Sequence, residues 1–369
     1  MAGYLDGFAN HRNPRLQTQS VNFRHRLHGP DLGIGLLNAD QSRAITDRGG
    51  ECFGVDAAER IANLFGAARQ EEVVHAVDDV SLAIGEGEVV GLVGESGCGK
   101  STLGRVVAGV HSASAGKVFW RDKDVSRLSG AERRDAILKI QMIFQDPMSS
   151  LNPRFRVKDI VGEAPKVHGL VGKGDLDGYV DEMLLRVGLD PSFKTRYPHQ
   201  FSGGQRQRVG IARALAVNPE FLVCDESIAA LDVSIQAQVL NLFMDLREDL
   251  GLTYLFISHD LGVVEHLSDR VVIMYLGRIV EIASTEDIFD SANHPYTQAL
   301  LNEVPRLDVR GFDYQPIAGE IPSPLDPPPG CHFHPRCPRA IDICSTKAPV
   351  ATLHQGKRVE CHLVEGAVQ

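Results

Sequence analysis

The residues of this chain that could do chemistry are a lysine in a glycine loop, two acids and a histidine at strand ends, and one glutamine. Lys100, Ser101 and Thr102 close the run Gly94-Glu95-Ser96-Gly97-Cys98-Gly99-Lys100-Ser101-Thr102, which fits the phosphate-binding pattern G-x-x-x-x-G-K-[ST]. Its glycines let the backbone curl so that N–H groups converge on phosphate oxygens at the positive end of the next helix. Lys100 then reaches the outer phosphates, and the Ser101 hydroxyl ligates magnesium. Asp225 and Glu226 close the apolar run Phe221-Leu222-Val223-Cys224. Asp225 is placed to hold magnesium, mostly through water, and Glu226 to orient or deprotonate an attacking water. Gln145 stands at the exit of another apolar run, Ile140 to Phe144, and His259 ends a third, Tyr254 to Ser258. The bland alternatives are a chance glycine turn, a solvated acidic pair and a structural histidine. The context of the loop argues against the first, and the pattern implies binding of a nucleoside triphosphate.

That context is a strand, a loop and a helix in the required order. Val89-Val90-Gly91-Leu92-Val93 suits a buried parallel strand, and Leu103, Val106, Val107 and Val110 recur at helical spacing. Upstream, Val73 to Ile84 reads as strands and Gly85-Glu86-Gly87 as a turn, and downstream Gly116 to Trp120 reads as another strand. Residues from about Met148 to Pro198 read as a mainly helical insertion, with Leu184, Leu185, Val187 and Leu189 on amphipathic spacing. Phe201-Ser202-Gly203-Gly204-Gln205 then opens a helix, Ser202 and Gln205 forming a capping-box pattern. This helix end is either a second anion-binding site or simply a capped surface helix. Met1 to Gly50 shows no sustained periodicity, and residues 1–70 read as a poorly ordered or atypical extension.

The chain has 369 residues, 43% hydrophobic and 23% charged, an ordinary globular balance for two domains or one domain with appendages. Its formal net charge is −10, so no overall basic field draws it to nucleic acid. No run of 18 apolar residues spans a membrane, and Met1 to Ser20 has no signal-peptide core.

With these residues assembled, the chain resembles the ATPase subunits of ABC transporters, in the oligopeptide/dipeptide importer branch, over roughly residues 71–363. Walker A is Gly94–Thr102, the Q-loop Gln145, the signature Phe201–Gln205, Walker B Phe221–Glu226, and the switch histidine His259. The branch is carried by Phe144 to Pro153, by Tyr197-Pro198-His199-Gln200-Phe201, by His294-Pro295-Tyr296-Thr297 and by Gly330-Cys331-His332-Phe333-His334-Pro335-Arg336-Cys337-Pro338. The resemblance implies an α/β P-loop NTPase with a RecA-like core, an antiparallel β subdomain, a helical subdomain over about 148–205 and a small Cys-rich C-terminal extension. The ABC ATPase domain would cover 71–290 and the extension 291–369.

The resemblance also implies a head-to-tail pair of ATPase subunits, the partner being a paralogue, as is common in this branch, or a second copy of the chain. Each ATP would lie between one subunit's Walker A and the other's signature, so Ser202, Gly203 and Gly204 would contact the partner's nucleotide; Gln205 and Asp232 are further expected cofactor-binding residues. Gln145 would join Ser101 and Asp225 in sensing magnesium and would link chemistry to the helical insert. His259 would steady the water that Glu226 polarises. Two transmembrane permease subunits, an extracytoplasmic solute-binding protein and a place on the cytoplasmic face of the cell membrane complete what it implies, with no nucleic acid. The adenine-stacking aromatic is not assigned: Phe65 stands at a suitable distance before Walker A, but its surroundings match the family poorly. The chain departs from the family at Ser227, where proline is usual, at Ala229, where serine is usual, and in a first strand barely recognisable near 58–66. Two rival readings are a soluble ABC ATPase acting outside transport and a largely structural subunit with weak turnover.

Cys331, Cys337, Cys344 and Cys361 lie in a Pro-rich tail. Four thiolates suit a cubane iron–sulfur cluster, and the resemblance implies a 4Fe-4S site; zinc and four unligated thiols are the alternatives. Cys98, beside Lys100 and a helix N-terminus, is expected to be a reactive thiolate that Mg-ATP shields. Cys224, within a strand, is expected to be an inert core residue.

Overall fold

A computed structural model describes residues 73–172, 174–303 and 317–365. The expectations for residues 1–70, including Phe65 and the strand near 58–66, lie outside them.

The apolar runs become the strands that carry the site. Val89–Val93 (β1), Phe221–Asp225 (β5) and Thr253–Ser258 (β6) are buried at every position. Strands covered on both faces read as unbroken apolar runs because neither face meets water. With β2 (Phe119–Trp120), β3 (Lys123–Asp124), β4 (Ile140–Ile143), β7 (Arg270–Tyr275), β8 (Arg278–Ser284), β9 (Thr352–His354) and β10 (Lys357–Val359), they build two sheets. The main sheet runs β4-β5-β6-β1-β7-β8-β10-β9. Its first five strands are mutually parallel and the last three antiparallel to their neighbours.

Register decides where chemistry collects. Ile143 pairs with Cys224, Asp225 with Ile257, and Val93 with Ser258. The chain therefore leaves β4, β5, β6 and β1 along one edge of the sheet, delivering Gln145, Glu226, His259 and the glycine loop side by side. This is the carboxyl edge, where open α/β sheets place their ligands.

One core packs the helix Lys100–Val107 and Trp120 against one face, through Leu92, Leu103, Val107, Val223 and Ile257. The opposite core joins the sheet to helices Val157–His168, Leu176–Arg186, Gly203–Leu215 and Val233–Leu250. The helical reading of the insertion agrees with these elements. The helix after the loop stops at Val107, and Val110, expected on its buried face, is 48% exposed. Gly109, at φ 70°, turns the chain away before that residue can pack.

Two expectations fail in the β elements. Val73 to Ile84 forms no strand, although Val80, Leu82 and Ile84 alternate inward. Its backbone is held by single contacts instead of a ladder: Asp78 N–H donates to Gly277 O, Arg358 donates to Ser81 O, and Arg270 donates to Ala83 O. The strand expected over Gly116 to Trp120 shrinks to Phe119–Trp120, paired only with β3. The tail holds the opposite surprise, since β9 and β10 extend the main sheet beyond β8.

Candidate active site

Two aspartates set the corners that aim Gln145 and His259. Asp146 accepts from the N–H groups of Met148 and Ser149, capping the helix Pro147–Ser150 directly after Gln145. Asp260 does the same for Leu261–Leu267 directly after His259, through Gly262 and Val263. An N-cap fixes the turn between strand and helix, so each preceding side chain leaves the sheet in a set direction. Sequence reasoning missed both roles, although Asp-Pro ahead of a helix is a readable cap signal.

The glycine loop curls as its composition requires. Gly99 has φ 104°, and a Cβ there would lie 1.8 Å from the Ala76 carbonyl oxygen. Lys100, 4% exposed, donates Nζ to the carbonyls of Gly94 at 2.7 Å and Glu95 at 2.9 Å. Ser101 Oγ donates to Asp225 Oδ1 at 2.7 Å. Burial pushes the Asp225 carboxyl above the usual range, with the Ser101 bond working against it. A buried carboxylate beside a hydroxyl is an all-oxygen donor pair of the kind magnesium takes.

Glu226 is the centre of the arrangement. Gln145 Nε2 donates to its Oε2 at 2.7 Å, and His259 Nδ1 stands 3.6 Å from its Oε1. Its backbone is left-handed, φ 44°, a conformation that costs a non-glycine residue about 1 kcal/mol or more. Its N–H donates to Ile257 O at 3.0 Å, which holds the strained turn to the neighbouring strand. Next to it, Ser227 is buried, and its Oγ finds no hydrogen-bond partner among the described residues.

A cavity of about 420 Å³ opens between these groups, lined by Ser96, Gly97, Gly99, Lys100, Ser101, Thr102, Gln145 and Glu226, and by Val74, Ala76 and Pro324. Such a space, with a cation, curled N–H groups and converging carboxyl and amide groups, can hold a triphosphate and activate a water at its far end.

Other expected site residues lie outside this cavity. Glu95 turns its carboxylate to Arg336. Cys98 corrects the reactive-thiolate expectation: it is 3% exposed, packed in the core, and burial pushes its thiol up despite Lys100 nearby. Cys224 is fully buried, as expected, and burial pushes its thiol far up. Ser202 caps Gly203–Leu215 by the reciprocal capping box with Gln205. A Cβ on Gly204 would lie 2.4 Å from Ile235, so the glycine there lets two helices close up. Ser202, Gly203 and Asp232 are exposed.

In the tail, Cys331 N–H donates to Cys344 O at 2.8 Å. Burial pushes the Cys331 thiol up to about 11, with Cys344, Cys361 and Cys337 adding to the rise. Among the described residues, no group of three or more His, Cys, Asp or Glu side chains is disposed to hold a metal ion. Among the same residues, no helix is long and apolar enough to cross a membrane.

Comparison with known proteins agrees with this geometry. Residues 77–229 match the ABC transporter family, and residues 280–344 the oligopeptide/dipeptide transporter C-terminal region. The oligopeptide transport ATP-binding protein AppF of Bacillus subtilis is 50% identical over 298 residues, 79% of this chain and 90% of its own. OppF of Salmonella typhimurium, another oligopeptide transport ATP-binding protein, is 48% identical over 76% of this chain and 85% of its own. Among solved structures, cbiO1 of Clostridium perfringens, part of the ABC transporter complex cbiONQ, superposes with a TM-score of 0.53 at 28% identity, covering 58% of this chain and 84% of its own. The ATP-binding cassette MJ0796, a dimeric post-hydrolysis state bound to ADP and Pi, gives 0.53 at 30% identity over 58% of this chain and 93% of its own. The chain belongs to the ABC transporter ATPases, in the family of oligopeptide transport ATP-binding proteins.

Proposed function

We propose that this ATPase powers uptake of dipeptides or oligopeptides through two separate transmembrane permease subunits, fed by an extracytoplasmic binding protein. It works at the cytoplasmic face of the membrane, paired head to tail with a second, paralogous ATPase subunit. The names of its relatives support the transport role, and the dimeric solved cassette supports the pairing. The observation that carries the catalytic part is the convergence of Gln145 and His259 on the Glu226 carboxylate.

In this reading Lys100 exchanges its loop carbonyls for the outer phosphate oxygens, and the loop N–H groups hold the rest of the triphosphate. Ser101, Asp225 and Gln145 would hold magnesium, which neutralises phosphate charge when bound. Glu226 takes the proton of the attacking water, while His259 and Gln145 fix the carboxylate and the water relative to the γ-phosphate. Ser202, Gly203, Gly204, Gln205 and Asp232 serve the partner's nucleotide, a role that their position away from the chain's own cavity supports. The cassette covers about 71–290, with its helical subdomain at 148–205 receiving the permease, and 291–369 forms the extension.

Glu226→Gln should bind ATP, hydrolyse it about a hundredfold or more slowly and accumulate as a closed dimer on gel filtration. Rapid turnover in that variant would remove Glu226 from the role. Recovery of two polytopic permeases with the tagged chain from native membranes would support transport; soluble partners alone would count against it.

The four tail cysteines form the other half of the reading. Cys331, Cys337, Cys344 and Cys361 would ligate a 4Fe-4S cluster in a structural role. Zinc is the alternative. Iron and acid-labile sulfide measured on anaerobically purified protein distinguish them, stoichiometric zinc without iron refuting the cluster.

A further inference from the structure

Glu95, the second residue of the glycine loop, is held from the far end of the chain. Arg336 directs its guanidinium fork onto the Glu95 carboxylate, Nη1 to Oε2 at 2.7 Å and Nη2 to Oε1 at 3.0 Å. Arg336 is 8% exposed, and its Nε donates to Ala318 O at 3.2 Å. The Glu95 backbone is held as well, since its N–H donates to the Tyr296 hydroxyl at 2.9 Å. Tyr296 is itself fixed in a ring cluster with Tyr275 and Phe333, at centroid distances of 4.7 to 5.2 Å. The carbonyl of the same residue that Arg336 grips receives Lys100 Nζ. One residue of the phosphate loop thus meets the tail, the ring cluster and the loop lysine.

The segment before Arg336 also reaches the cavity. Pro324 lines it beside Val74 and Ala76, and its carbonyl accepts the His75 N–H at 2.9 Å. Arg336 itself lies between Cys331 and Cys337.

We propose that Arg336 is a positioning residue for nucleotide binding: it locks the phosphate loop through Glu95 and neutralises a carboxylate that would otherwise repel the triphosphate. This deepens the assignment of the loop as the nucleotide site and rests on it. A bidentate arginine–carboxylate pair fixes both direction and distance, so the loop N–H groups are preset before the nucleotide arrives. The electrostatic part gives the pair a signature. With Arg336 gone, an unpaired Glu95 carboxylate penalises ligands in proportion to their negative charge.

Binding of ATP, ADP and AMP to the full-length chain by titration calorimetry tests this. Arg336→Gln should weaken ATP about tenfold or more, ADP less and AMP least. Adding Glu95→Gln in the same chain should restore ATP binding to within about threefold of wild type, because the repulsion leaves with the carboxylate. Equal losses for all three nucleotides, or a double variant weaker than Arg336→Gln, would overturn the proposal. If Arg336→Gln fails to fold, Arg336→Lys keeps the charge without the fork and should weaken all three nucleotides by a smaller and similar factor; a loss graded by phosphate number despite the retained charge would overturn it. Wild-type protein that binds no ADP would refute the loop as the nucleotide site, whereas tight wild-type binding unchanged in the Arg336 variants would refute only the positioning role.

Discussion

Gln145 and Glu226 lie 81 residues apart in sequence and 2.7 Å apart in space, amide nitrogen to carboxylate oxygen. The strands that bring them together, β4 and β5, are direct neighbours in the sheet. Removing the amide should therefore act on turnover more than on binding. Gln145→Ala should lower kcat about tenfold or more, the value of one hydrogen bond to a charged group, with little change in ATP affinity. Gln145→Glu should lower it further, most at acid pH and less as pH rises, because a second carboxylate makes ionisation of the pair harder. Steady-state phosphate release against pH checks both.

Gly99 should tolerate no side chain. Its φ of 104° disfavours one, and a Cβ at this position would stand 1.8 Å from the Ala76 carbonyl oxygen. Gly99→Ala should abolish nucleotide binding and lower the melting temperature, since either the loop or the segment around Ala76 must move. Thermal unfolding with and without Mg-ADP measures both effects, and a nucleotide-dependent rise in that variant would contradict the expectation.

Cys98 should be unreactive. Buried and held as a thiol, it should alkylate slowly in native protein both with and without Mg-ATP, and rapidly once the chain unfolds. Peptide mapping of the alkylated wild-type chain resolves this position from the other cysteines. Rapid native labelling would show that the loop opens.

His294 should make the protein acid-labile. Fully buried, it accepts the Tyr296 N–H on Nδ1, and burial, helped by the Arg339 charge, pulls its pKa down to about 3. An unfolded histidine titrates near 6.5, so below that pH the unfolded chain binds a proton that the folded one refuses. Stability is complete above about pH 6.5 and falls toward pH 3, by about 2 kcal/mol between pH 6.5 and 5. His294→Asn keeps a cap acceptor for the helix Pro295–Leu301 and removes the titration. Denaturant unfolding from pH 5 to 7.5 should show a steep slope in wild type and a shallower one in the variant.

Much of the site is readable in the sequence because local chemistry and strand order coincide. Glycine spacing, one lysine and acids at the end of an apolar run need only short stretches of chain, and the structure gathers Lys100, Ser101, Gln145, Asp225 and Glu226 around one cavity rim. What escapes depends on contacts far apart in sequence. Cys98 looks reactive from its neighbours, but it is buried in a core cluster that also draws on β7 and the segment around Val80, which no local pattern shows. Val73 to Ile84 alternates like a strand, yet a ladder also needs a partner edge, and its backbone is claimed by arginine side chains and the turn at Gly277. Arg336 reads only as part of a tail motif; its partner lies 241 residues away.

The last three strands carry a consequence for how the chain can be divided. β10 pairs with β8 at Arg358–Ile282 and Val359–Glu281, and β9 then closes the border with three residues. Lys357, 2% exposed, locks this seam by donating to the Ser291 and Asp287 carbonyls. A chain ended after Ser291 would keep the phosphate-binding groups yet leave β8 with an unpaired row of N–H and C=O groups along an apolar strand. Such a bare border invites pairing with other chains. The tail is thus the selvedge of the sheet, and a shortened chain is expected to precipitate although it still carries Lys100, Ser101, Gln145, Asp225, Glu226 and His259.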